Sequence, residues 1–242
     1  MKDEKLSDKG NEIAWGTIGN ASTSEGLFFE TLNAAGVLQV PMVISVWDDG
    51  YGISVDNAFQ TVKESISEAM RGMQRTNDKA GIEIIEVEGW NYPALIEAYT
   101  RASELARSAH VPVLIHVQEL TQPLGHSTSG SHERYKSETR LQWEKEHDCN
   151  LTFKNWILEK KIATEDELAA IEEKASTAAK EAKTAAWKAY LAPIDEERQE
   201  AQQLAEQLGL VGDVLCRHAA RAAQQPEAQA APAAGPPLVV RE

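Results

Sequence analysis

Cysteine and positive charge are both scarce in this chain of 242 residues. Its two cysteines, Cys149 and Cys216, stand far apart with no CxxC and no histidine-rich partner. That excludes a disulfide framework and a structural zinc site, and fits a reducing, cytoplasmic compartment. Lys and Arg total 24 against 38 Asp and Glu, a formal net charge of −14. A chain so poor in cations lacks what displaces counterions from nucleic acid or binds an anionic membrane, so neither is expected as a partner. Long apolar runs are missing as well. The most apolar stretches, residues 37–46 and 111–117, fall far short of the ~20 residues that span a bilayer. The charged residues 1–9 contain no signal-peptide core, and no internal repeat is visible.

What the chain does contain is alternation. From residue 12 to 118 short apolar runs, at 13–18, Met42–Trp47, 82–87 and 111–117, alternate with helical patterns at 24–38, 58–73 and 93–108. This is the signature of βα units on a parallel sheet, so the expected class is α/β. Ser22, Thr23 and Ser24 are candidate N-caps for the first helix, Glu25 suits its first turn, and Pro93 suits the first turn of the third. Residues 121–136 carry one Pro, two Gly and two His among hydroxyls, with no period. They read as a long loop at a strand end, where parallel α/β folds place their chemistry. Thr164-Glu165-Asp166-Glu167 is a capping box. It opens a helix whose stripe is Leu168, Ile171, Ala175, Ala178, Ala182, Ala185 and Ala189, suited to close packing and expected to end at Pro193. Residues 218–237 are low-complexity Ala, Gln and Pro and read as disordered. The expected organisation is an α/β domain over 1–140, a helical region over 141–210 and a tail or linker over 211–242.

Three clusters could carry chemistry. Gly19-Asn20-Ala21-Ser22 lies at a strand-to-helix turn, where small residues let backbone amides approach a phosphate. An ordinary glycine turn would look the same, and the run is not GxGxxG. Asp48 and Asp49, beside Gly50, offer hard oxygen ligands of the kind Mg²⁺ takes; a solvated Asp-Gly turn is the plainer reading. His126, in Gly125-His126-Ser127-Thr128-Ser129, has the side chain best suited to proton transfer near neutral pH, although a lone loop histidine is often a bystander.

Taken together these clusters are more specific. Gly19-Asn20-Ala21, 26 intervening residues and then Asp48-Asp49 resemble the thiamin-diphosphate motif written Gly-Asp-Gly … Asn-Asn. Ser22-Thr23-Ser24-Glu25-Gly26, Phe29-Glu30, Leu32-Asn33-Ala34-Ala35 and Gly50-Tyr51-Gly52-Ile53-Ser54 resemble the α subunit of 2-oxo acid dehydrogenase decarboxylase components. The likeness extends over about residues 12–193. It implies part of a parallel-sheet thiamin-diphosphate-binding fold, followed by a helical C-terminal region. It further implies Gly19, Asn20, Ala21, Ser22, Asp49, Tyr51, Ile53 and His126 as cofactor-binding residues. Of these, Asn20, Asp49 and the Tyr51 carbonyl would be Mg²⁺ ligands, and Ala21 and Ser22 would lie against the diphosphate. Amide and carboxylate have changed places here, since the family carries Asp at the position of Asn20 and Asn at that of Asp49. Both groups present an oxygen, so metal binding is expected to survive the exchange.

The family's His-Ser-x-Ser run matches residues 126–129, and its Tyr-Arg pair, nine and ten residues after the histidine, is here Tyr135 and Lys136. The substitution of lysine loses a bidentate fork, and Gly130 stands where the family has an acidic residue. The resemblance implies His126 as the catalytic residue assisting acyl transfer. His132 matches no role and is left to solvent; Glu83, Glu86 and Glu88 are read as a polar face rather than a second metal site.

The implied activity is thiamin-diphosphate-dependent oxidative decarboxylation of a 2-oxo acid, branched-chain type favoured over pyruvate by the wording of residues 19–54. Its implied partners are a β-type subunit or β-like half and a lipoyl acyltransferase. An aromatic-Arg pair that precedes the first motif in the family would lie before Met1, so the chain alone is expected to be incomplete and inactive. Two alternatives stay open. One is another thiamin-diphosphate enzyme of transketolase type, against which the His-Ser-x-Ser run counts. The other is a non-catalytic interaction module with a vestigial motif, binding a partner through its acidic helical region.

Overall fold

A computed structural model describes residues 7, 10–123, 125–126 and 132–208. The residues expected to form a tail, 211–242, and the loop residues 127–131 lie outside the described residues. The chain divides into two compact units, residues 1–162 and 163–242.

The first unit is built on a parallel sheet whose strands are β1 (Ala14–Gly19), β2 (Met42–Trp47), β5 (Glu83–Glu88) and β6 (Val113–Gln118). Their spatial order is β1-β2-β6-β5. The apolar runs expected to be strands are these four, and β2 has the expected bounds. A two-residue pair, β3 (Tyr51–Gly52) with β4 (Val55–Asp56), forms a separate antiparallel hairpin.

Period-2 alternation sends successive side chains to opposite faces of the sheet, and helices cover both. On one face α1 (Gly26–Leu38) and the short α2 (Ile66–Met70) bury Phe28, Leu32, Ile66 and Met70 against Val46, Ile84 and Leu114. On the other, α3 (Tyr92–Ala109) lays Ala98, Ala102 and Ala106 on Val43, Ile85, Val113, Ile115 and Val117. The three alanines recur every fourth residue, which lets α3 approach closely. Each fully buried aliphatic side chain contributes about 1.5–3 kcal/mol.

Two helix expectations change. Ser22, Thr23 and Ser24 cap nothing: residues Asn20–Ser24 form a 3₁₀ turn, and α1 starts after Glu25. Thr23 commits its hydroxyl to the Asn20 carbonyl, 2.6 Å away. The expected helix over 58–73 is broken into 3₁₀ turns at Asn57–Phe59, Val62–Glu64 and Arg71–Met73 around α2. Phe59 and Val62 share no buried stripe with Ile66 and Met70 and are exposed. Lys63 and Glu64 take left-handed φ, and Ser65 caps a fresh start by accepting from Glu68 N–H. Pro93 does open α3, after an Asn91 cap.

Two further helices, α4 (Glu138–Glu146) and α5 (Cys149–Glu159), complete the first unit. The described part of the second unit is one helix, α6 (Glu165–Gln207), opened by the expected capping box with Thr164 and Glu167 bonded reciprocally. It runs through Pro193 instead of ending there. Strong helix formers flank the proline, and an exposed helix lets water satisfy the carbonyl that proline orphans. Among the described residues no helix is long and apolar enough to cross a membrane.

Candidate functional site

The C-terminal ends of β1 and β2, adjacent in the sheet, deliver both motifs to one edge. In parallel α/β sheets ligands bind outside this edge. Gly19 ends β1, and Asn20 follows it into the 3₁₀ turn with its side chain buried. Asp48 follows β2: its N–H donates to Val117 O (2.9 Å) and its carbonyl accepts from Leu120 N–H (3.0 Å). This carries the ladder with β6 one residue past the strand and fixes the turn that follows.

That turn is tight. Gly50 takes φ +85°, a left-handed conformation open to glycine at little cost. Asp48 Oδ1 accepts from Gly50 N–H at 2.8 Å and Asp49 Oδ1 from Tyr51 N–H at 3.1 Å. The Tyr51 carbonyl meets Asn20 across 31 residues, accepting from Nδ2 at 3.0 Å. Two of the three expected metal ligands are thus in direct contact, and the third, Asp49, is bonded to the main chain of Tyr51. Ala21 lies so close to Gly52 that a Cβ added there would stand 2.8 Å from the Ala21 Cβ. Ile53 and Ser54 form the two-residue link of the β3–β4 hairpin. Ile53 is exposed there with φ 60°, a costly conformation for a β-branched residue. Ser22 is exposed on the turn.

The two aspartates differ electrostatically. Burial pushes the Asp49 carboxyl above its ordinary range, and the Tyr51 N–H and the Lys136 charge offset this only in part. Burial acts on Asp48 too, but bonds from His116, Gly50 and Asn57 outweigh it and hold Asp48 below its ordinary range. Asp48 is therefore a satisfied structural anion, whereas Asp49 is a carboxylate short of positive charge. Among the described residues no three His, Cys, Asp or Glu side chains form a metal cluster. The oxygen set available instead is Asn20 Oδ1, the Asp49 carboxylate and the Tyr51 carbonyl, hard donors that suit Mg²⁺ sharing its shell with phosphate oxygens.

His116, Asn57 and Ser67 escape the sequence reading. His116 Nε2 lies 2.8 Å from Asp48 Oδ2, and its Nδ1 lies 2.5 Å from Ser67 Oγ on α2. Asn57 Nδ2 donates to both Asp48 oxygens at 2.9 and 3.1 Å, while Asn57 Oδ1 accepts from Asn20 Nδ2 at 2.9 Å. A fully buried histidine inside the apolar strand β6 is the available signal; Asn57 gives none. Beside this network lies a cavity of about 360 Å³ lined by Asp48, Tyr51, Asn57, His116 and Arg140 among others.

The far end of the long loop also reaches the site. The Tyr135 and Tyr51 rings lie 5.4 Å apart. Lys136 Nζ stands 4.9 Å from the Tyr51 ring centre and pairs with buried Glu144 at 2.8 Å. His126 is exposed, and no contact ties it to Asn20, Asp49 or Tyr51 among the described residues. His132 is not given over to solvent: its side chain is 14% exposed, its Nδ1 is buried without a hydrogen-bond partner among the described residues, and Gly125 packs against it. Glu83 is held by Arg75 and Arg101, and Glu86 by Arg71, which leaves these two as ion-pair partners.

Comparison with known proteins adds a second line. The chain is 25% identical over 172 residues to a pyruvate dehydrogenase E1 component subunit alpha of Rickettsia felis, covering 71% of this chain and 50% of that one. It is 31% identical over 152 residues to the mitochondrial 2-oxoisovalerate dehydrogenase subunit alpha 2 of Arabidopsis thaliana, covering 62% and 30%. It is 27% identical over 197 residues to the mitochondrial pyruvate dehydrogenase E1 component subunit alpha of Dictyostelium discoideum, covering 81% and 48%. The chain thus spans half or less of the length of these curated relatives. The family model described as dehydrogenase E1 component matches residues 4–194, and the chain belongs to that family.

Proposed function

We propose that this chain supplies the Mg²⁺ and thiamin-diphosphate half of the decarboxylase site of a 2-oxo acid dehydrogenase, acting on a branched-chain 2-oxo acid in preference to pyruvate. The observation that carries the reading is the meeting of Asn20 and the Tyr51 carbonyl at the sheet edge, 3.0 Å apart, with Asp49 bonded to the same residue. Asn20, Asp49 and the Tyr51 carbonyl hold the cation. A carboxylate that burial leaves short of positive charge favours a divalent ion beside it. Ala21 and Ser22 lie in the opening turn of a helical segment, where N–H groups lack internal partners and favour an anion such as a diphosphate.

Thiamin diphosphate, when bound, supplies the electron sink that loss of CO₂ from a 2-oxo acid requires. The chain's own residues bind and orient it. Tyr51 fixes the turn that presents Asp49, Gly52 and Ile53 shape the hairpin against Ala21, and Tyr135 and Lys136 tie the end of the His126 loop to Tyr51. His126 assists transfer of the acyl group to the lipoyl group of an acyltransferase partner. A β-type subunit or β-like half completes the site.

The test is reconstitution with a β-type subunit, thiamin diphosphate and Mg²⁺, following decarboxylation of a branched-chain 2-oxo acid and of pyruvate. Turnover is expected only with the partner present and faster with the branched substrate. Full turnover by the chain alone would contradict the reading, and equal rates would remove the substrate preference.

A further inference from the structure

The hydrogen bonds around Asn20 run in one direction, and the direction has a source. An ionised carboxylate only accepts, so Asn57 must turn its amide nitrogen toward Asp48, as its bonds of 2.9 and 3.1 Å show. Behind Asp48, His116 donates from Nε2 at 2.8 Å while its Nδ1 takes the Ser67 hydroxyl and Gln118 Nε2 as donors, which fixes the ring tautomer and holds the carboxylate in place. With its nitrogen committed, Asn57 presents Oδ1 to residue 20. Only a donor satisfies that oxygen, and Asn20 Nδ2 supplies it at 2.9 Å. The second Nδ2 hydrogen goes to the Tyr51 carbonyl at 3.0 Å. Both amide hydrogens of Asn20 are then committed, and no hydrogen bond reaches its Oδ1 among the described residues.

Neither amide can flip without setting oxygen against oxygen, and Asn20, Asn57 and Asp48 are all buried. Unsatisfied polar atoms there cost more than any bond regained outside.

We propose that Asn57, oriented by Asp48, is a positioning residue that locks the Asn20 amide in the one orientation leaving Oδ1 free for a divalent cation. This rests on Asn20 being a Mg²⁺ ligand, and it deepens that reading. It also explains the amide at position 20, because an aspartate there would face Asn57 Oδ1 with a second acceptor. Asn20→Asp therefore weakens cation binding although it adds negative charge, the opposite of what simple attraction gives.

The test is calorimetric titration of thiamin diphosphate into the full chain at fixed Mg²⁺, with thermal unfolding of each unliganded protein alongside. Asn57→Ala, Asn57→Asp and Asn20→Asp are each expected to weaken Mg²⁺-dependent binding by about tenfold or more, as lost outer-shell partners do. The exchange Asp48→Asn with Asn57→Asp restores a donor from position 48 to position 57 and an acceptor from position 57 to Asn20, while position 48 keeps a single oxygen for the two donors Gly50 N–H and His116 Nε2–H. The exchange is expected to recover part of the affinity lost in Asn57→Asp, although it melts below wild type, and a purely structural role for Asn57 would not produce that recovery. Wild-type affinity in Asn57→Ala, tighter binding in Asn20→Asp, or a folded exchanged protein that binds no more tightly than Asn57→Asp would each overturn the proposal. Loss of Mg²⁺-dependent binding in the wild type itself would instead overturn the reading on which it rests.

Discussion

Lys136 Nζ stands 4.9 Å from the centre of the Tyr51 ring while it donates to both carboxylate oxygens of Glu144, at 2.8 and 3.0 Å. Tyr51 thus presents its carbonyl to Asn20 and its ring to the end of the long loop. The ion pair beneath it is almost wholly buried, with Lys136 and Glu144 side chains 2% and 1% exposed. Breaking such a pair from one side strands a buried charge, at about 3–5 kcal/mol. Arg140 Nε still reaches Glu144 Oε1 at 3.0 Å, so Lys136→Met is expected to cost about 3 kcal/mol, the lower end of that range. The check is the urea unfolding midpoint, and Lys136→Met with Glu144→Leu together should recover much of the loss. A single variant as stable as wild type would show that Arg140 alone satisfies Glu144.

Ile53 is strained in the β3–β4 link, since its φ of 60° suits glycine and not a β-branched residue. Backbone strain of about 1–3 kcal/mol at one residue persists where its surroundings over-determine it. Ile53→Gly is expected to stabilise the unliganded chain by about 1 kcal/mol and, with the exposed isoleucine lost from the proposed cofactor surface, to lower thiamin-diphosphate affinity. Thermal unfolding and calorimetry read the two effects separately. A rise in melting temperature with unchanged affinity would remove Ile53 from the binding surface.

Gly52 leaves no room for a side chain. A Cβ there would meet the Gln60 amide, which can swing away, and the Ala21 Cβ at 2.8 Å, which is fixed to the backbone. Gly52→Ala should therefore push apart the two turns that the Asn20–Tyr51 bond joins. The expected result is weaker cofactor binding with far-UV circular dichroism unchanged, since β3 and β4 form a sheet of their own. Unaltered binding would place the two turns outside the cofactor site.

Much of the sheet is legible because its strands are apolar runs between clear punctuation: Pro41 precedes Met42–Trp47 and Asp48-Asp49-Gly50 follows it. The stretch 58–73 reads as one helix because its composition is helical, yet its apolar residues share no buried stripe, a difference that only packing reveals. Pro193 reads as a stop because proline costs about 3 kcal/mol inside a helix, a penalty that good helix formers on both sides offset. At the site, Asn20, Asp49 and Tyr51 are visible as a motif. The relay behind them joins Asn57, His116 and Ser67 from a hairpin exit, a strand interior and a short helix, and its longest link, His116 to Asp48, spans 68 residues. No local pattern encodes such a link, although a histidine inside an apolar strand calls for a buried partner.

Asn20, Asp49 and the Tyr51 carbonyl are proposed to hold a cation together, and that cation to hold a diphosphate. The most direct test is calorimetric titration of thiamin diphosphate into the full chain with Mg²⁺ and with excess chelator, repeated for Asp49→Ala. Saturable binding that requires Mg²⁺ and that falls by at least about tenfold in Asp49→Ala is expected. Binding indifferent to Mg²⁺, or an Asp49→Ala chain that binds as the wild type does, would contradict it.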